Sequence, residues 1–66
     1  MEQFTVYIKN NASDKTRNIK IKCQDHYLAH KKALEDISLF REEITCIKDS
    51  RKIEVFNLTD GFIFES

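Results

Sequence analysis

The residue pattern of this chain predicts an α+β fold, β-β-α-β-β-β, in which an antiparallel sheet carries one helix packed on one face. Three observations carry that prediction. Phe4, Val6 and Ile8 alternate with Gln3, Thr5, Tyr7 and Lys9, and Ile19, Ile21 and Cys23 alternate with Asn18, Lys20 and Lys22. Strict alternation is the period of a half-buried strand. From Asp25 to Phe40 the apolar spacing becomes helical, and three more short extended runs follow it.

The first strand is Glu2 to Lys9, rich in the β-branched and aromatic residues that suit a pleated surface. Asn10, Asn11, Ser13 and Asp14 supply turn chemistry through side chains that bond nearby backbone. The return strand is Arg17 to Cys23.

Asp25 is a helix N-cap, since its carboxylate can accept from the free N–H groups of the first turn. At ~100° per residue, Ala29, Ala33, Ile37 and Phe40 share one side of the helix. His26, His30 and Leu34 fall on its flank. Small Ala29 and Ala33 would bring the helix close to the sheet, with Ile37 and Phe40 filling the far end. Leu28 and Leu39 fall on the outer side, and with Phe56, Phe62 and Ile63 they form a second apolar set.

Glu43 to Lys48 reads as the third strand, Asp49-Ser50-Arg51 as a turn, and Lys52 to Leu58 as the fourth strand. Asp60-Gly61 is a hairpin signal, because the only glycine stands where a positive φ is needed. Phe62 to Glu65 would be a short fifth strand. Strict alternation places Ile8, Ile19, Ile21, Ile44, Cys46, Ile53 and Val55 toward the helix. It places Thr5, Tyr7, Lys9, Lys20, Lys22, Thr45, Ile47, Glu54 and Phe56 on the opposite side. A slip of one residue would exchange the two sets.

Residues 1–66 make a single domain. A chain this short buries only ~60% of the surface its unfolded form exposes. Its 41% hydrophobic content suits a globular fold. Net charge is zero, yet residues 1–24 carry five cations against two carboxylates and residues 25–66 carry six against nine. A neutral total speaks against bulk nucleic-acid binding, and the split predicts one basic surface. Cys23 and Cys46 are expected as small buried side chains rather than a disulfide framework. No leader and no membrane-length apolar run is visible, which predicts a cytoplasmic protein with no membrane partner.

Little points to reaction chemistry. His26 and His30 lie one helical turn apart, a spacing that can serve a metal, but further ligands are missing and Tyr27 stands where the zinc-protease helix has glutamate. They are expected as amphipathic side chains at the rim of the helix–sheet interface, and no metal or cofactor is expected. Serine, histidine and aspartate occur without a nucleophile elbow, and one glycine cannot build a phosphate loop. The chain is read as a non-enzyme.

The basic hairpin is the candidate binding site. Tyr7, Lys9, Lys20 and Lys22 are expected to project together from neighbouring strands, with Arg17 steering a partner from nearer the loop. Interleaved aromatic and basic side chains serve protein interfaces and nucleic-acid platforms alike. Lysines on a sheet also simply prevent edge pairing.

The element order, the capped segment Asp25-His26-Tyr27-Leu28-Ala29-His30-Lys31-Lys32-Ala33-Leu34 and the late Asp60-Gly61-Phe62 turn resemble small proteins of phages and mobile elements. More narrowly, the layout is similar to that of compact sheet-plus-helix anti-CRISPR proteins. The resemblance implies a stoichiometric inhibitor, active in the host cytoplasm, that occupies a surface of a host protein or ribonucleoprotein defence complex. Near-zero net charge departs from the acidity of DNA-mimicking inhibitors, so steric occlusion is the expected mode. Two alternatives stay open: a single-stranded nucleic-acid-binding module using the same face, and a homodimeric antitoxin-like regulator.

Overall fold

Uninterrupted alternation from Phe4 to Ile8 lets one strand be buried on one side and paired along both edges. In the computed structural model, which describes residues 1–37 and 40–63, that strand is β1 (Glu2–Asn10). It is followed by β2 (Thr16–Cys23), α1 (His26–Asp36), β3 (Glu42–Lys48), β4 (Glu54–Asn57) and β5 (Gly61–Phe62). The five strands form one antiparallel sheet in the order β2-β1-β3-β4-β5, with α1 on one face. This is the α+β architecture that the sequence pattern predicts.

Local chemistry closes each connection. At the first hairpin Asn10 Oδ1 accepts from the backbone N–H groups of Ala12 at 2.9 Å and Ser13 at 3.2 Å. Asp25 caps α1 as expected, accepting from the Leu28 N–H at 2.9 Å. Asp49, only 7% exposed, organises the β3–β4 turn. Its Oδ1 accepts from the N–H groups of Arg51 and Ile53, both at 2.9 Å.

The core lies between α1 and the sheet. Phe4, Val6 and Ile8 of β1 meet Ala29, Ala33 and Ile37 from the helical side, with Cys23, Ile44 and Ile47 completing the cluster. Ile8, Ile47 and Val6 are the largest fully buried side chains, each contributing ~1.5–3 kcal/mol of burial. Ala29 and Ala33 are both fully buried, so the small residues do bring the helix down onto the sheet.

Two irregularities correct the expected faces. Ile8 pairs with Ile44 but Tyr7 pairs with Cys46, which leaves Thr45 as an extra residue in β3. The bulge turns Ile47 inward to full burial and Cys46 outward, the reverse of strict alternation. Thr45 Oγ1 donates to the Tyr7 carbonyl at 3.2 Å and ties the bulge to β1. A second shift makes Val55 the extra residue of β4, since Ile47 pairs with Phe56 and Lys48 with Glu54. Phe56 therefore lies opposite Ile47 and packs against the core instead of facing away from the helix.

Other expectations also change. The helix stops at Asp36, not Phe40, because Ile37 is already extended (φ −95°, ψ 159°) while its N–H still donates to the Ala33 carbonyl at 3.1 Å. Ile37 keeps its place in the core, but Phe40 is 97% exposed and fills nothing. Ile53, expected toward the helix, is exposed because the turn centred on Asp49 consumes it before β4 begins. Leu39 and the continuation of the last strand through residues 64 and 65 lie outside the described residues.

Candidate functional site

The face of the sheet away from α1 follows from the β1–β2 register. Gln3 pairs with Lys22, Thr5 with Lys20, Tyr7 with Asn18 and Lys9 with Thr16. All eight alternate with inward residues, so Tyr7, Lys9, Lys20 and Lys22 do share one face. Lys20 and Lys22 are exposed, and among the described residues neither joins an ion pair. Lys9 differs, with its Nζ 3.6 Å from Asp14 and Glu43 opposite it on β3.

Arg17 is not part of that face. It pairs with Ile8 and belongs to the inward row with Ile19 and Ile21. Its Nε donates to Glu42 Oε2 at 2.8 Å and its Nη2 to Oε1 at 3.2 Å, a two-pronged grip across the end of the sheet. That hydrogen bond is the main reason its affinity for the proton is pushed above the ordinary guanidinium range. The charge expected to steer a partner is thus paired with Glu42 within the fold.

The bulge adds residues that strict alternation leaves out. Lys48 and Cys46 come to the outer face beside Tyr7, and Lys48 Nζ lies 5.4 Å from the centre of the Tyr7 ring. Cations at this range are attracted by the face of an aromatic ring. Tyr7, Thr16, Thr45, Cys46, Lys48 and Glu54 line a shallow hollow of about 340 Å³. Partial burial, and then Glu54, push the Cys46 thiol upward, so it is held as the neutral thiol. The expectation of two buried cysteines holds for Cys23 alone; Cys46 is half-buried on the outer side. Only a bulge at Thr45 reveals Lys48 as a face residue, and nothing in the local sequence marks one there.

The helix-side histidines form a separate group. His30 lies 4.9 Å from Phe56 and 5.3 Å from Phe62, while His26 lies 4.3 Å from Tyr27 and 5.6 Å from Phe62, all between ring centres. Burial pushes His30 below the usual histidine range. Among the described residues no three histidine, cysteine or carboxylate side chains gather as a metal site. The two rings sit at the rim of the helix–sheet interface, packed as aromatics. Among the described residues no helix is long and apolar enough to cross a membrane.

Comparison with known proteins finds no matching family, no matching curated protein and no matching solved structure.

Proposed function

We propose that this chain is a small binding protein that docks the uncovered sheet face onto an acidic surface of a protein partner and blocks that surface by occupying it. One observation carries the reading: Lys20 and Lys22 stand on the same face as Tyr7, exposed and without a counter-charge among the described residues. An aromatic ring offers packing area at small entropic cost, and unpaired cations steer an acidic partner and set the register. Tyr7, Lys9, Lys20 and Lys22 are the first contacts, with Lys48 joining them at the Tyr7 ring. The resemblance in layout to anti-CRISPR proteins names the partner class as a host defence complex, protein or ribonucleoprotein. A net charge of zero favours steric occlusion over imitation of a phosphate backbone.

The test is functional. Expression of the chain in CRISPR-immune bacteria is expected to restore plaquing by a targeted phage in at least one system of a panel covering the main effector types. Lys20→Glu/Lys22→Glu is expected to abolish that rescue while its melting temperature stays unchanged, because both side chains project into solvent. Rescue by the double variant removes the face as the docking site. Failure in every system removes the inhibitor reading. Binding to bare oligonucleotides that weakens steeply with salt would assign the face to nucleic acid instead.

A further inference from the structure

β2 forms one edge of the sheet. Among the described residues β2 pairs only with β1, so its other side presents a row of unpaired N–H and C=O groups. Proteins commonly blunt such edges with short strands, prolines, bulges or lysines. Of these β2 carries only the lysines, Lys20 and Lys22, which repel a basic strand and leave an acidic one free to pair. β2 has eight residues, no proline, and a register against β1 that runs from Cys23 to Thr16 without a shift. Both pairings of β3 do shift, and β5 at the opposite edge has two described residues. Two side-chain rows flank the open edge. The inward row holds Ile19 and Ile21, which touch the core but stay only half-buried. The outward row ends in exposed Lys20 and Lys22.

We propose that β2 receives an extended segment of the partner protein as an added strand, with carboxylates in the row beside Lys20 and Lys22 and apolar side chains in the row beside Ile19 and Ile21. This rests on the protein-binding reading above and adds how the partner is held. Main-chain hydrogen bonds supply the affinity of strand addition, and alternate side chains supply its specificity. Charge chooses the occupant. β2 carries Arg17, Lys20 and Lys22 and no carboxylate, so a second copy of β2 brings only more cations to the joined strands. Arg17 is already held by Glu42, which leaves the two lysines as the groups to be complemented.

A capped peptide of alternating glutamate and valine, added to the intact chain at low salt, tests this. Alternate β2 amides are expected to exchange more slowly with solvent on binding, because only every second N–H of an edge strand points outward. Methylating alternate peptide nitrogens is expected to remove binding. Lys20→Glu/Lys22→Glu is expected to weaken the glutamate peptide by about tenfold and to accept a lysine–valine peptide in its place. Peptide binding with unchanged β2 exchange overturns strand addition and leaves the sheet-face reading intact. Absence of binding at millimolar peptide also overturns it. A dimer by light scattering, with β2 amides protected before any peptide is added, gives the edge to a second copy and overturns the acidic occupant. Loss of the sheet-face reading shows separately, as phage rescue that survives the double charge reversal.

Discussion

Trimming Ile47 tests the β3 bulge directly. Ile47 is 0% exposed because the extra residue Thr45 turns it toward the helix. Replacing it with valine removes one buried carbon and is expected to cost ~1 kcal/mol. Replacing it with alanine removes three, which at ~0.8 kcal/mol each gives ~2.5 kcal/mol before the cavity left behind adds its share. A domain of this length has only ~3–10 kcal/mol of stability in total, so Ile47→Ala removes a large fraction of it. Cys46→Ala, one position earlier but on the outer face, is expected to cost less than Ile47→Val. Urea unfolding at neutral pH under reducing conditions measures all three, and an unchanged dependence on urea confirms that the two end states are the same. In thermal unfolding each kcal/mol corresponds to ~4–8 °C at this chain length. A larger cost at Cys46 than at Ile47 would show that β3 alternates strictly and that the bulge is absent.

Acid should weaken the fold through His30. Burial holds its pKa below the ordinary histidine value of about 6.5, so the unfolded chain takes up the proton first. The stability tied to neutral His30 is complete above about 6.5 and is lost as pH falls below that toward the folded value. The urea midpoint is expected to drop between pH 7.5 and 5.5, and His30→Gln should flatten that slope; equal slopes would disprove the linkage. Gly61 has a φ of +71° with nothing within 4 Å of where a Cβ would sit, so Gly61→Ala is expected to cost ~1–2 kcal/mol from backbone strain alone. A neutral result in urea unfolding would show that the last turn relaxes freely.

Most elements were legible along the chain because they are written in local periods. Alternation in β1 and β2, the Asp25 cap, the turn residues around Asn10 and the glycine at position 61 all act within a few residues of themselves. The candidate face was legible for the same reason, since β1 and β2 pair without a shift and Tyr7, Lys9, Lys20 and Lys22 keep their parity. The pairing of Arg17 with Glu42 was not legible because the two lie twenty-five residues apart and meet only across the sheet. Phe40 was misplaced because apolar spacing extends the helix on paper, whereas Ile37 leaves it to reach the core in an extended conformation.

By itself the amino-acid order determined the fold class, the element sequence and the paired rows of the first hairpin. Each depends on repeating intervals and short-range capping that neighbouring residues supply. Only the tertiary structure decided which of Cys46 and Ile47 is buried, where α1 ends, and that Lys48 joins Tyr7 on the outer face. The physical reason is that a bulge is chosen between strands rather than within one. Inserting Thr45 lets both Ile44 and Ile47 bury against β1 and α1, and the gain from sealing two isoleucines decides a register that no local signal records.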